Sequence, residues 1–134
     1  MAALAPRSLA LTVLEDSAAV ARHVAGQLLA DRLGAQPRPL GLATGNTMVP
    51  VYGALVEAER RLPESQRRHL RCSWRSFSLD EYVGLGGKDP GSFASFMRRH
   101  LTLPLGLDPA SVRLPDGLEP DPVAEAERYG AELR

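Results

Sequence analysis

The sequence lacks several features that mark whole classes of protein. It has one cysteine, Cys72, so no disulfide can form within the chain and nothing indicates an extracellular protein. Basic and acidic residues balance at 16 each, without the basic excess that nucleic-acid binders carry. No apolar run approaches the roughly 20 residues that a membrane-spanning helix needs. Residues 1–10 also lack the long apolar core of a signal peptide, so a cytoplasmic protein without nucleic-acid or membrane partners is expected.

Short apolar runs and helical patterns alternate along the chain. Hydrophobic residues make up 44% of it, which suits one globular domain spanning residues 1–134. The predicted elements are strand Ser8–Leu14, a helix from Asp16 or Ser17 to Leu33, strand Pro39–Ala43, helix Val51–Leu62, a solvated helix turn or loop at Glu64–Arg71, strand Cys72–Leu79, helix Ser92–Leu101, an extended piece at Val112–Leu114 and helix Pro122–Leu133. This alternation predicts an α/β fold with a mainly parallel sheet, in which ligands bind beyond the carboxyl ends of the strands.

A loop of small residues, Thr44-Gly-Asn-Thr47, lies between a predicted strand and a predicted helix. Small residues let the backbone approach a ligand, and the first turn of a helix offers unpaired N–H groups to an anion. Thr44 and Thr47 add hydroxyl donors, so Thr44, Gly45, Asn46 and Thr47 predict a site for a phosphate monoester. The spacing alone is equally compatible with a tight turn that caps the helix, because it is neither a Walker loop nor a dinucleotide fingerprint.

Two adjacent carboxylates, Asp80 and Glu81, end the third predicted strand. Successive side chains of an extended chain point in opposite directions, so at most one of the two is expected in the cleft. A carboxylate there could remove a proton from carbon. Composition alone favours the alternative that both are solvated loop acids or turn caps.

The histidines give little indication of chemistry. His23, His69 and His100 are spread over the chain without metal-ligand spacing, and Cys72 has no companion cysteine. No metal site is therefore predicted.

Several of these segments together resemble the glucosamine-6-phosphate deaminase family, part of the wider group of glucosamine/galactosamine-6-phosphate isomerases and 6-phosphogluconolactonases. The resemblance covers nearly the whole chain and is most specific at Asp80-Glu-Tyr-Val-Gly-Leu85. The lactonase branch is expected to have arginine in place of Tyr82, which favours the deaminase branch. The matching segments are Leu40-Gly-Leu-Ala-Thr-Gly-Asn-Thr47, Phe77-Ser-Leu-Asp-Glu-Tyr-Val-Gly-Leu85, Pro90-Gly-Ser-Phe-Ala-Ser-Phe-Met97, Asp116-Gly117 and Glu125-Ala-Glu-Arg-Tyr129.

The resemblance implies a Rossmann-like fold and roles for the candidate site residues. Thr44, Gly45, Asn46 and Thr47 would hold the phosphate of a sugar phosphate. Asp80 would take the C2 proton of the open-chain amino sugar and return it at C1, while Glu81 would orient groups or hydrogen-bond. The products would be fructose 6-phosphate and ammonia, and no cofactor would be needed. We class this expected enzyme of amino sugar metabolism as a hydrolase.

The resemblance also indicates a difference in length. Family members are expected to be about twice as long, and their ring-opening histidine belongs to a loop that none of the three histidines here fits. The chain is thus expected to be the N-terminal half of a deaminase domain, inactive alone, with a truncated sheet that favours self-association into homo-oligomers. Two alternatives stay open at this point: a sugar-phosphate-binding regulatory module and a 6-phosphogluconolactonase-like hydrolase.

Overall fold

The computed structural model describes residues 8–134; residues 1–7, part of the stretch inspected for a signal peptide, lie outside the described residues. Three strands and several helices alternate along the chain. In order they are α1 (Ser17–Leu33), β1 (Leu40–Leu42), α2 (Val49–Arg60), α3 (Glu64–Ser73), β2 (Ser76–Ser78), α4 (Phe93–Met97), a π-helical segment (Arg98–Thr102), α5 (Leu103–Leu105), a 3-10 turn (Pro109–Ser111), β3 (Val112–Arg113) and α6 (Pro122–Glu132). Within residues 8–134, no helix is long and apolar enough to cross a membrane.

The three strands form one parallel sheet in the order β1-β2-β3. Leu42 at the end of β1 lies beside Ser78 at the end of β2, so both strands end at the same edge. The predicted α/β class with a mainly parallel sheet flanked by helices is therefore confirmed.

One face of the sheet carries the main core. Directly paired residues of parallel strands point to the same side, so Leu40, Ser76 and Val112 share this face with Leu42 and Ser78. Helices α1 to α3 and the helical stretch 93–105 cover it. The buried cluster consists of Ala25, Leu42, Tyr52, Leu55, Val56, Leu70, Trp74, Met97, Leu101, Leu105, Leu107 and Val112.

The opposite face is covered less completely. Phe77 points to this side and is buried beneath α6, where its ring meets the ring of Tyr129 edge-on with 6.0 Å between centroids. Nearby, Gly41 is exposed and the side chain of Leu79 is 69% exposed. Helix α6 therefore covers the β2 side of this face and leaves the β1 side open.

The first predicted strand, Ser8–Leu14, is wrong. These residues run as irregular chain, and Leu9, Leu11 and Val13 are almost fully exposed. A short apolar run becomes a strand only when a neighbouring strand pairs with its backbone, and no described strand pairs with this segment. The helix that follows matches its prediction, because the Asp16 carboxylate accepts a hydrogen bond from the amide of Ala19 over 2.7 Å and caps α1.

The region between Pro63 and Ser78 also differs from expectation. Glu64–Arg71 is part of the regular helix α3. Cys72, which was predicted to begin a strand, belongs to this helix, and β2 has only three residues. Leu70 anchors this mostly charged helix by complete burial. A single apolar anchor is too weak a pattern to distinguish a helix from a solvated loop in the sequence.

Candidate active site

The loop Thr44–Thr47 connects the end of β1 to the beginning of α2, as predicted. Gly45 has a φ of 107°, a conformation that side-chain-bearing residues rarely adopt, and its carbonyl accepts a hydrogen bond from the amide of Met48 over 3.0 Å. A Cβ atom at Gly45 would meet no atom within 4 Å, and Gly45, Asn46 and Thr47 are all exposed. The tight turn therefore leaves open space above the loop for a ligand.

Helix α2 begins without a side-chain cap. Met48 occupies the N-cap position and offers no side-chain acceptor, and Pro50 in the first turn has no N–H to satisfy. By contrast, the carboxylate of Asp121 accepts from two amides at the beginning of α6. The positive end of the α2 dipole is thus available to an anion.

Tyr52 holds the base of this loop. Its hydroxyl donates to the carbonyl of Ala43, directly before Thr44, over 2.5 Å. The side chain is completely buried, and burial raises the pKa of Tyr52 well above its ordinary value. This contact was not predicted from the sequence, although Tyr52 stands one helical turn after Met48, where a long side chain can reach back toward the loop.

Asp80 follows β2 at the same edge. The amide of Leu79 donates to the carbonyl of Leu42 over 3.3 Å, which continues the pairing of β1 and β2 beyond their last paired residues. Asp80 and Thr44 each stand two residues beyond the paired residues Ser78 and Leu42, and neighbouring strands lie about 4.8 Å apart. The structure therefore brings the loop Thr44–Thr47 and Asp80, which is exposed, to the same edge of the sheet.

The carboxylate of Glu81 is engaged with the backbone. Its Oε1 accepts from the amides of Tyr82 and Phe93, and its Oε2 accepts from the amide of Ala94, each over 2.9 Å. Phe93 and Ala94 are the first two residues of α4. Glu81 thus caps a helix that begins twelve residues later in the chain, and these contacts favour the positioning role expected for it over proton transfer.

The segment after Glu81 is packed against a second loop. The amide of Gly84 donates to the carbonyl of Gly117 over 2.7 Å. A Cβ atom at Gly117 would lie 2.2 Å from the carbonyl oxygen of Leu85 and 2.4 Å from that of Tyr82, so only glycine allows this approach. The ring of Tyr82 also lies against that of Phe93, with 4.6 Å between centroids.

Glu125 holds this second loop from α6. Its Oε1 accepts from the amide of Asp116 over 2.7 Å, and its carboxylate forms an ion pair with Arg128. The hydrogen bonds from Arg128 first, and then the one from Asp116, lower the pKa of Glu125 to about 2. The chain therefore fixes the Asp80 segment by two internal carboxylates, Glu81 and Glu125.

The histidines do not form a cluster. His23 and His69 are exposed, and His100 packs its ring against Phe96 with 4.5 Å between centroids. In the described residues 8–134, no three histidine, cysteine, aspartate or glutamate side chains are grouped so that they could hold a metal ion.

Relatives with this sequence pattern share one name. The chain is 37% identical over 125 residues to a glucosamine-6-phosphate deaminase of Shewanella loihica, with 92% of this chain and 44% of the relative covered. It is 36% identical to the Cutibacterium acnes enzyme of that name, with 87% and 43% covered. No family model matches the chain.

A solved structure agrees with these sequence relatives. It is that of a monomeric glucosamine-6-phosphate deaminase described as a missing link of the NagB superfamily, with a TM-score of 0.75 and 27% identity over 90% of this chain and 48% of that one. The chain spans less than half the length of the relatives it matches.

These names correct one expectation. We classed the expected enzyme as a hydrolase, but the relatives are named as deaminases of an amino sugar phosphate, and their reaction groups with the isomerases of amino sugar metabolism. The expected chemistry, a proton moved between two neighbouring carbons before ammonia departs, is an isomerisation. The hydrolase classification is therefore wrong.

Proposed function

We propose, from the premise that this chain belongs to the glucosamine-6-phosphate deaminase family, that its open sheet edge binds glucosamine 6-phosphate and takes part in its conversion to fructose 6-phosphate and ammonia. The observation that carries the proposal is the register of β1 and β2. Because Leu42 pairs with Ser78, the phosphate loop and Asp80 leave the sheet side by side. This arrangement supports one ligand that contacts both.

The phosphate would sit on Thr44–Thr47. Gly45, Asn46 and Thr47 are exposed, the uncapped beginning of α2 supplies N–H donors and a partial positive charge, and the threonine hydroxyls add further donors. Glucosamine without the phosphate lacks the group that this end recognises. We therefore expect most of the binding free energy to come from the phosphate.

The carboxylate of Asp80 would act as the base. It removes the proton from C2 of the open-chain amino sugar, and the C2–H electron pair forms the C1–C2 double bond of an enolamine while O1 takes up a proton from the ammonium group of the substrate. The proton held by Asp80 then returns to C1, which leaves an iminium group at C2. The nitrogen then leaves as ammonia after water adds at C2, and the ketose phosphate remains. Glu81 keeps Asp80 in place by holding the backbone of the following residues.

The remaining predictions concern the partner, the cofactor, the cellular location and the oligomeric state of the protein. The partner is a small sugar phosphate, no cofactor is needed, and the protein is expected in the cytoplasm. Association into homo-oligomers also stays a prediction, and the solved relative, which is described as monomeric, gives it no support.

Calorimetry tests the substrate class. Glucosamine 6-phosphate should bind to the chain, whereas glucosamine should bind at least ten times more weakly. Equal affinities for the two ligands would contradict the proposed phosphate loop. An ammonia-release assay on the same samples tests the expectation that the chain is inactive alone, and brisk turnover would contradict that expectation. Solvent exchange of the C1 protons of fructose 6-phosphate in the presence of ammonium distinguishes a catalytic half-domain from the alternative of a regulatory module, because the module needs no base.

A further inference from the structure

Two of the three tyrosines are buried, and each donates its hydroxyl to a backbone carbonyl at the carboxyl edge of the sheet. Tyr52 donates to the carbonyl of Ala43, the residue before the phosphate loop. Tyr129 donates to the carbonyl of Ser78, two residues before Asp80, over 2.8 Å, and also to the carbonyl of Arg113 at the end of β3 over 3.2 Å. Each candidate loop therefore begins at a carbonyl that a tyrosine hydroxyl fixes.

The two tyrosines act from opposite faces of the sheet. Tyr52 belongs to the core cluster that contains Leu42, whereas Tyr129 packs on Phe77, whose side chain points to the other face. The helices that carry them, α2 and α6, pack against different parts of the molecule. Removal of one hydroxyl therefore leaves the other contact in place.

Both hydroxyls stay protonated at neutral pH and can donate continuously. Burial raises the pKa of Tyr129 to about 12, and burial raises the pKa of Tyr52 further. The hydrogen bond from Tyr129 to Ser78 is buried and the one from Tyr52 to Ala43 is partly buried, so the loss of either leaves a carbonyl with little or no water to replace the donor.

We infer that Tyr52 and Tyr129 are separate positioning residues, Tyr52 for the phosphate loop and Tyr129 for the segment that carries Asp80. This inference rests on the proposed function. It assigns to each tyrosine an effect on one loop and none on the other. A merely structural role would instead loosen both loops together through a general loss of stability.

The test compares Tyr52→Phe and Tyr129→Phe with the parent chain. Both changes remove a hydroxyl and keep the ring, so the packing of the aromatic pairs is retained. Ser111→Ala is the matched control, because the Ser111 hydroxyl also donates to a carbonyl, that of Asp108 over 2.7 Å, but beside the amino end of β3. The readouts are amide hydrogen exchange by residue and the dissociation constant for glucosamine 6-phosphate.

Tyr52→Phe should accelerate exchange at residues 44–48 about fivefold or more, relative to global unfolding, and weaken ligand binding by a similar factor. Tyr129→Phe should accelerate exchange at residues 79–85 and change the dissociation constant less than about twofold. Ser111→Ala should change neither loop. These three patterns together support the inference.

The opposite patterns overturn it. If either tyrosine variant accelerates exchange equally at both loops, or at neither, then it is not a separate positioning residue. If the parent chain fails to bind glucosamine 6-phosphate, the proposed function fails, while the exchange pattern still decides whether the tyrosines fix the two loops.

Discussion

Two loops leave the same edge of the sheet and lead into helices. The two helices differ in whether a side chain of the protein accepts hydrogen bonds from their first amides. After β1, the loop Thr44–Thr47 enters α2, whose first turn has no side-chain cap. After β2, the longer loop enters α4, whose first amides are held by the carboxylate of Glu81. One helix beginning therefore carries an anion from within the protein, and the other is open to an anion from outside.

This difference separates a loop that is open to a ligand from one that the chain itself holds in place. A helix beginning is an anion site in either case, because its N–H groups are unpaired and its dipole is positive there. Where the chain fills the site, as at Glu81, the backbone that carries Asp80 is held. Where the site stays open, as at Thr44–Thr47, a phosphate can complete it. The two loops thus divide the proposed chemistry into proton transfer and recognition.

The largest expected effect comes from removing the base. Asp80→Asn should lower the rate at which the C1 protons of fructose 6-phosphate exchange with solvent deuterium by about 10²–10⁴-fold, because an amide cannot take up the proton. Proton NMR in deuterated buffer that contains ammonium measures this reverse half of the isomerisation. Binding of glucosamine 6-phosphate should change little, since the phosphate loop is untouched.

Asp89→Asn is the control for that measurement. Asp89 lies in the same loop, but its carboxylate accepts from the amide of Gly91 over 2.8 Å and serves a turn. Its exchange rate should remain close to that of the parent chain. An Asp80→Asn protein that exchanges as fast as Asp89→Asn would remove Asp80 from the mechanism.

The next largest effect tests whether Glu81 is the internal anion. Glu81→Gln places an amide NH₂ against backbone N–H groups and should lower the free energy of unfolding by about 2 kcal/mol, the value of hydrogen bonds to a charged group. Chemical denaturation measures it. Glu57→Gln is the control, because Glu57 forms an ion pair with Arg60 in which both side chains are more than half exposed, and such pairs contribute little. Equal changes in the two variants would contradict the capping role of Glu81.

The sequence predicts the loop Thr44–Thr47 better than the loop between β2 and α4, which Glu81 and Glu125 hold, and the reason is physical. Small residues between a strand and a helix are local, so Thr44–Thr47 can be found by inspection. Glu81 meets Phe93 and Ala94 across twelve and thirteen residues, and Glu125 meets Asp116 across nine. Which carboxylate accepts hydrogen bonds from which distant amides depends on how the chain folds back, and no local sequence pattern predicts that.

The wrongly predicted strand Ser8–Leu14 also shows that a local pattern does not determine contacts between distant segments. Ser8–Leu14 is a short apolar run with β-branched residues, which is sound as a local preference for a strand. A strand nevertheless needs a partner, and no strand of the described sheet pairs with this segment. The parallel direction of the strands was predictable, because strand–helix alternation has few solutions, whereas α3 was not.

A smaller effect tests the shape of the open loop. Gly45→Ala forces a side chain into a φ of 107° and should cost about 1–2 kcal/mol, which corresponds to about a tenfold weaker binding of glucosamine 6-phosphate if the loop distorts to relieve the strain. Calorimetry measures the affinity. Gly53→Ala in α2 is the control: a Cβ there meets nothing within 4 Å, and alanine favours the helix, so stability should rise slightly with unchanged affinity. Unchanged affinity in Gly45→Ala would show that the phosphate does not depend on this turn.

The smallest effect appears only at acidic pH and concerns the stability of the two segments that Glu125 supports. The pKa of Glu125 is lowered to about 2 from an ordinary 4.5, so the folded state binds a proton at this site less readily than the unfolded state does. The stability that Glu125 contributes is therefore fully present above about pH 4.5 and declines as the pH falls toward 2. Hydrogen exchange at pH 6 and pH 3.5, corrected for the intrinsic rate, should show loosening first at residues 82–86 and 116–118, which Glu125 supports, and later at Thr44–Thr47. Glu125→Gln should remove this difference between the two pH values. If Thr44–Thr47 loosened first, protonation of a group other than Glu125 would be responsible. Residues 82–86 and 116–118 would then not depend on the carboxylate of Glu125 on α6.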